Sequence, residues 1–481
     1  MSQEILVNIT PREVRVALLE NGILQEIHIE RSLHQGLLGN IYKGRVGRLL
    51  PGIQAAFVDI GLDRSAFLHI SDMGVLQDSQ TDIRPLLLPN QEVLVQVYKD
   101  PLGSKGARMT TQFTIPSRYL VLTPGVFQVA VSLKITDESE RERLTQMLTP
   151  GVAGGYIFRT AAEGVSQAEI DADKVFLDAL WCEVVEQSRS VKAPGIIYEE
   201  IPIVLRVLRD LVGYDVDRIR VDQQKATEEM RHFARSYVPA LENKVEFYEN
   251  RKPIFDNYAV EEELRKALER KVPLKSGGHL VIDQTEAMTT IDVNTGSFVG
   301  NHHVEQTAFT TNLEAIEVIA RQVRLRNLGG IIIIDFIDMP NPEHQGMLMQ
   351  ALTKALSKDS ARTQISELSS LGLVQMTRKR TRESLEHILC VTCPTCAKRG
   401  SVKSMATICY EIFRELKRIA QNYAWPGFKL LVAPEIAHEL LHEESTMLAD
   451  LEAQLGKPIQ LQTEVSYSQD RYNVMPLPEK E

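Results

Sequence analysis

Between Met288 and Met339 the chain carries two apolar runs, each ending in an aspartate, joined by one long helical stretch. The first run is Met288-Thr-Thr-Ile-Asp292-Val-Asn294, and the second is Gly329-Gly-Ile-Ile-Ile-Ile-Asp335. The spacing of Ala308, Ile316, Ile319, Ala320 and Val323 predicts a helix between them, with Gly329-Gly330 as its C-cap. A strand–helix–strand crossover lays its two strands parallel and close together. Asp292 and Asp335 are then expected at one carboxyl-terminal sheet edge, where open α/β sheets hold their ligands. Two carboxylates forced together share a proton or bind a hard cation, and Mg²⁺ at one or two carboxylates suits phosphodiester chemistry. The plainer alternative is a pair of solvated strand ends. Asn294 lies on the same side of its strand as Asp292 and could hold a carboxylate or a bound water. Asp338 is assigned to the turn that leads into Pro340.

A length of 481 residues allows several domains. No apolar run is long enough to span a bilayer. The start, Met-Ser-Gln-Glu-Ile-Leu-Val-Asn, lacks the basic and apolar regions of a signal peptide. Five cysteines, three of them crowded, do not resemble a secreted disulfide framework, so a reducing cytoplasm is expected. A net charge of −10 argues against a polycation that coats nucleic acid, though not against local basic grooves. Arg321, Arg324 and Arg326 form one basic cluster, and Arg378, Lys379, Arg380 and Arg382 form another. Each reads as a solvated helix face or as a phosphate-facing groove flanking Asp335.

Seven segments follow from the order of patterns. Residues 1–37 read as a strand meander with a hairpin at Asn21-Gly22. Residues 38–113 carry short strands with Gly and Pro turns, the signature of a small barrel. Residues 114–205 mix strands and helices, and Arg159-Thr160 close an apolar strand there. A guanidinium with a hydroxyl at a strand end can grip a terminal phosphate, although a surface ion pair is the simpler reading. Residues 206–270 are mostly helical, 271–388 hold the acidic pair, and 389–402 hold Cys390, Cys393 and Cys396. Residues 403–481 form a small α/β unit whose tail from Gln469 onward is expected to fray.

Cys393-Pro-Thr-Cys396 presents two thiolates to one point, half of a tetrahedral zinc site. Cys390 and Cys409 could complete it within the chain, or a second chain could supply its own pair on a two-fold axis. A redox dithiol and inert packing are the remaining readings.

In residues 38–113, Tyr42-Lys-Gly-Arg-Val, Ala56-Phe-Val-Asp-Ile-Gly and Phe67-Leu-His-Ile resemble the S1 RNA-binding domain, an OB-fold. Together with Thr-Ile-Asp292-Val-Asn, Asn312-Leu-Glu-Ala, Arg324-Leu-Arg, Gly-Gly-Ile-Ile-Ile-Ile-Asp335-Phe-Ile-Asp-Met and Cys393-Pro-Thr-Cys, the chain resembles the ribonuclease E/G family along nearly all its length. It is most similar to members without a long disordered arm. The resemblance implies an α+β and α/β multidomain chain. An RNase H-like subdomain (1–37 and 206–270) would be split around an S1 barrel and a 5′-sensor domain. A DNase I-like catalytic subdomain, a zinc link and a dimerising C-terminal domain would follow. It also implies Mg²⁺ at Asp292 and Asp335 supported by Asn294, and zinc shared between subunits through Cys393 and Cys396. Arg159 and Thr160, helped by Val121 and Arg362, would read an RNA 5′-monophosphate. Phe57, Phe67, Lys43 and His69 are the S1 contacts. Ala397-Lys398-Arg399 departs from the family's usual continuation after the second cysteine.

The expected function is Mg²⁺-dependent cleavage of single-stranded RNA, leaving 5′-phosphate and 3′-hydroxyl ends. Substrates would be precursors of rRNA and tRNA, and mRNA, handled by a cytoplasmic homodimer or dimer of dimers. The rivals are a noncatalytic RNA-binding protein and, more weakly, a metal-dependent DNA nuclease.

Overall fold

The computed structural model describes residues 2–31, 36–74, 82–101, 106–211, 216–296, 304–369, 371–380, 382–396 and 399–477. The chain divides into two compact units, Met1–Ile388 and Leu389–Glu481. The whole is a mixed α+β multidomain protein. Among the described residues no helix is long and apolar enough to cross a membrane.

The first unit opens with three antiparallel strands, Gln3–Ile9, Glu13–Glu20 and Ile23–Arg31. Asn21 and Gly22 turn the last two with φ of 50° and 77°, the pair of positive values that a tight two-residue hairpin needs. These strands cannot close a core alone. Gln3–Ile9 therefore pairs in parallel with Val216–Val221, which pairs with Val245–Phe247. Ile5, Val7 and Val16 bury against Val207, Met230 and Ala234 from more than 180 residues later (207 − 16 = 191).

Five strands, Ile41–Leu50, Ala55–Asp59, Ala66–His69, Glu92–Lys99 and Arg108–Thr110, close into a barrel. Closure comes from Ile41–Leu50, which pairs with Ala55–Asp59 on one side and Glu92–Lys99 on the other. A Cβ on Gly44 would stand 2.5 Å from Val58 Cγ1, so only glycine lets that strand bend so tightly. A four-stranded sheet follows, ordered Val129–Val131, Gly154–Phe158, Leu120–Pro124, Ile115–Pro116. It is backed by the helix Gln167–Ser190 through Ile170 and Leu177.

The expected crossover is present. Met288–Asn294 and Gly330–Asp335 are parallel neighbours joined by the helix Val304–Leu325. They lie at the centre of a six-stranded sheet whose other pairings are antiparallel, so it is a mixed sheet rather than an open parallel one. One face is apolar: Leu280, Ile291, Val293, Ile332, Ile334 and Val374 pack on Ala308, Ile316, Ile319 and Val323 of that helix. Each Val, Leu or Ile among them contributes about 1.5–3 kcal/mol on burial. The helix stops earlier than its glycines suggest. Asn327 takes the left-handed conformation (φ 48°). Its N–H donates to Arg324 O, and Leu328 N–H donates to Val323 O, the paired bonds of a Schellman ending. Gly329 instead makes room for Arg380, whose Cγ would meet a Cβ at 2.6 Å.

In the second unit the helix Met405–Asn422 is capped by Ser404 and buries Ile408, Ile412, Leu416 and Ile419. A three-stranded sheet lies against it, ordered Ile459–Thr463, Phe428–Val432, Tyr472–Pro476. The tail therefore does not fray at Gln469. Tyr472 and Val474 alternate onto the apolar cluster, and Tyr472–Pro476 is held as an edge strand of the sheet.

Candidate active site

Register sets Asp292 directly opposite Asp335 on the parallel pair. Alternation turns both away from the helix-covered face, and both are exposed. Asn294 Nδ2 donates to Asp292 Oδ2 at 2.8 Å, the support expected from its position two residues on. Asp335 is pushed above the usual carboxylate range, first by partial burial, then by the charges of Asp292 and Asp338. Asp338 is thus part of the acidic field, and its Oδ1 faces Gly372 rather than closing a turn. Its role is hidden in the sequence because it lies past the strand end, where side-chain direction cannot be counted by twos. Among the described residues none of the three aspartates has an ion-pair partner. Nor does any group of three or more acidic, histidine or cysteine side chains gather as a metal cluster. A pair of carboxylates with uncompensated repulsion still fits one hard cation that keeps most of its waters.

Three cations of the flanking basic clusters, Arg321, Arg324 and Arg378, are tied into the fold and do not face a phosphate groove. Arg324 is buried, with Nη2 2.9 Å from Glu26 and 3.2 Å from Glu20. Arg321 bonds Glu263 and Leu24 O. Arg378, also buried, holds Asp359 through Nε at 2.6 Å and the Leu328 carbonyl at 3.0 Å. Arg380 donates to Gly329 O. Arg321, Arg324 and Arg378 tie distant chain segments together, whereas Arg380 uses its Nε and stays exposed.

Arg159 follows Gly154–Phe158 and is half-buried. Nη1 donates to Ser117 O at 2.5 Å and Nη2 pairs with Asp210 at 2.8 Å. Thr160 is exposed, its Oγ1 3.5 Å from Ser132 Oγ. Val121 sits on the adjacent strand opposite Ile157. Lys134 bridges towards the exposed Arg362 by donating to Asp359 O and Ser360 O.

On the barrel, Phe57 and Phe67 are directly opposite partners, in edge-to-face contact at 6.0 Å, and Phe57 is 37% exposed. Arg108, unforeseen because its strand has only three residues, lies 5.7 Å above the Phe67 ring. Lys43 does not fit the phosphate role expected of it. It lies beside Gly195 and Leu94, and its Nζ is used by Glu92 at 3.0 Å and Val191 O at 3.2 Å. His69 shares the outward face with Phe67, but its Nδ1 caps the turn at Ser71.

Cys409 is buried in the apolar core of the second unit, where burial pushes its thiol up to about 11, so it is not the missing ligand. Cys390 and Cys393 are exposed. Backbone N–H groups of Cys396 and Thr395 hold the Cys393 thiol below its ordinary range. Ala397 and Lys398 lie outside the described residues.

The ribonuclease E/G family model matches residues 114–381. Ribonuclease G of Escherichia coli K12 is 52% identical over 487 residues, covering 99% of this chain and all of that protein. The chain belongs to the ribonuclease E/G family. Ribonuclease G of Haemophilus influenzae is 47% identical, covering 98% of this chain and 99% of its own length. Ribonuclease E of a Nostoc species is 39% identical over 80% of this chain and 57% of its own length. The acidic pair, its crossover helix and Arg159 all fall within the span matched by the ribonuclease E/G family model.

Proposed function

We propose that this chain cleaves single-stranded RNA internally, with Mg²⁺ held by Asp292 and Asp335. Membership of the ribonuclease E/G family makes it an endoribonuclease and sets aside the purely RNA-binding reading. The observation that carries the finer reading is the side-by-side placement of Asp292 and Asp335 on parallel strands, both exposed. Asn294 fixes the Asp292 rotamer through its hydrogen bond. A magnesium ion there would neutralise charge on the scissile phosphate and make water a better nucleophile. Phe57 and Phe67 offer a stacking surface for unpaired bases, with Arg108 beside them for a phosphate. Arg159 and Thr160 receive a 5′-monophosphate, which aligns the strand before cleavage, with Val121 and Arg362 at its margin. The products carry 5′-phosphate and 3′-hydroxyl ends, and precursors of rRNA and tRNA, and mRNA, are the substrates.

We infer the family's subdomain order for the same segments given by the sequence, with Cys393 and Cys396 sharing zinc with a second copy. The experiment is direct. Purified protein is incubated with 5′-labelled single-stranded RNA, with Mg²⁺ or with EDTA, beside a DNA oligomer of the same sequence. Cleavage of RNA alone, and only with Mg²⁺, is expected. Undiminished cleavage in EDTA removes the metal from the reading. Zinc content and mass in solution, before and after chelation, test the shared zinc.

A further inference from the structure

The helix Val304–Leu325 buries an amide where its neighbours bury hydrocarbon. Asn312 is 0% exposed, on the helix that elsewhere gives Ala308, Ala315, Ile316 and Ile319 to the core. Burial of such a group is costly unless its hydrogen bonds are made. Here both ends are satisfied by one peptide unit's residue. Asn312 Nδ2 donates to Ile337 O at 2.8 Å, and Ile337 N–H donates to Asn312 Oδ1 at 3.1 Å.

The strand that carries Asp335 ends at that residue, so the backbone of Ile337 has no ladder. Phe336 and Met339 on either side are buried at 4% and 7%, which keeps water scarce. The Asn312 amide therefore stands in for a neighbouring strand, two residues past Asp335 and one before Asp338. Two residues further along the same helix, Glu314 accepts from the backbone N–H groups of Lys275 and Ser276. That turn precedes His279–Gln284, whose Val281 pairs with Asp292. One helix thus secures the backbone on both sides of the acidic pair, and Asn312 makes the tie nearest Asp335.

We propose that Asn312 is a positioning residue for cleavage. By clamping the Ile337 backbone it fixes where Asp335 and Asp338 stand relative to Asp292, and so how well the corner holds a divalent cation. The inference rests on the metal reading above. Asn312 touches neither substrate nor ion, and its effect passes through two backbone hydrogen bonds.

The test compares Asn312→Leu, which keeps the size and removes both bonds, with Asn312→Ser, which falls short of Ile337. Thr311→Val is the control. Thr311 is equally buried, one residue earlier, and among the described residues its hydroxyl bonds only Thr307 O. Calorimetric titration with Mn²⁺ on RNA-free protein and the half-saturating Mg²⁺ for cleavage are both measured. The two Asn312 variants are expected to lose at least about tenfold in each, while Thr311→Val loses stability alone. In the unaltered chain, saturating Mg²⁺ should slow hydrogen exchange at the Ile337 amide, because coupling between two sites is reciprocal. Wild-type metal affinity in a folded Asn312 variant overturns the proposal. So does exchange at Ile337 that ignores Mg²⁺, a readout that needs no variant to fold. Asp292→Asn run in parallel separates the two levels. If it too keeps full metal affinity, the metal reading has failed; if it alone loses the ion, the clamp has failed.

Discussion

The acidic corner and the arginines around it have opposite fates in the same fold. Asp292, Asp335 and Asp338 are exposed and, among the described residues, have no ion-pair partner. Arg324 and Arg378 are buried and paired, to Glu20, Glu26 and Asp359. Evenly matched charge is how a fold holds itself together; charge left unmatched is available to a ligand. The two sets should therefore respond differently to neutralisation, one losing chemistry and the other losing the fold.

The largest effect is expected at the corner. Asp335→Asn removes a charge that the folded state pushes against, so its unfolding midpoint should stay level or rise. Cleavage of labelled RNA should fall by at least ~10³-fold, since an ion that stabilises transition-state charge contributes several kcal/mol. A variant that retains most activity would mean the corner is only a strand end.

Arg378→Ala is the converse. It leaves the Asp359 carboxylate buried without its partner, together with the acceptors Asn327 Oδ1 and Leu328 O. Breaking a buried pair from one side costs about 3–5 kcal/mol. Denaturant unfolding should show that loss, while the Mg²⁺ requirement of any folded fraction is unchanged. A stable Arg378→Ala protein with impaired RNA binding would reverse the assignment and restore a phosphate-facing role.

Arg159 stands between the two classes, because its guanidinium has structural partners in Ser117 O and Asp210 yet keeps part of its surface open. Arg159→Ala should reduce the preference for 5′-monophosphorylated over 5′-hydroxyl RNA by roughly ten- to a hundredfold, the scale of a hydrogen bond to a charged group. Rates on the hydroxyl-ended RNA serve as the internal reference. Equal preference in the variant and the unaltered protein would place the phosphate elsewhere. At the barrel, Phe67→Ala should cost about 1–3 kcal/mol of single-strand affinity if the ring stacks on a base, read by titration in EDTA.

What was legible in the sequence follows from the range of the interactions. The crossover was readable because its signals are local: a run of four isoleucines, a helical period and two strand-ending aspartates, each interpretable within ten residues. Asn294 could be placed by alternation alone. The arginines could not, because Arg324 meets Glu26 across 298 residues of chain, and a charge without a visible partner reads as solvated. Lys43 was misjudged for the same reason, since Val191 O lies 148 residues away. Arg108 was missed because three residues carry too little pattern to announce a strand. The Asn312 motif was visible, but its role depends on where a strand stops, which only the sheet reveals.

Acid titration gives the smallest and sharpest form of the comparison, because two carboxylates move in opposite directions. Burial would raise Glu26, but His28, its Nε2 3.7 Å from the carboxylate, and the Arg324 charge outweigh it and hold it at about 2. Its contribution is present above the ordinary glutamate range and is lost as pH falls from about 4.5 towards 2. Asp335 is raised by burial and by Asp292 and Asp338, so the native state holds a proton there that the unfolded chain has released. Stability from this group increases as pH falls through its raised value, and the repulsion returns above it. The unfolding free energy of Asp335→Asn minus that of the unaltered chain should therefore be near zero at the ordinary aspartate value and grow to a plateau at higher pH. The gain should stay below about 1 kcal/mol, because water screens so exposed a pair. Saturating Mg²⁺ should turn the advantage around, since only the unaltered corner has both carboxylates to offer the ion. A difference that shrinks as pH rises, in the absence of metal, would mean that Asp335 already has a compensating cation and that the corner is as fully paired as Arg378.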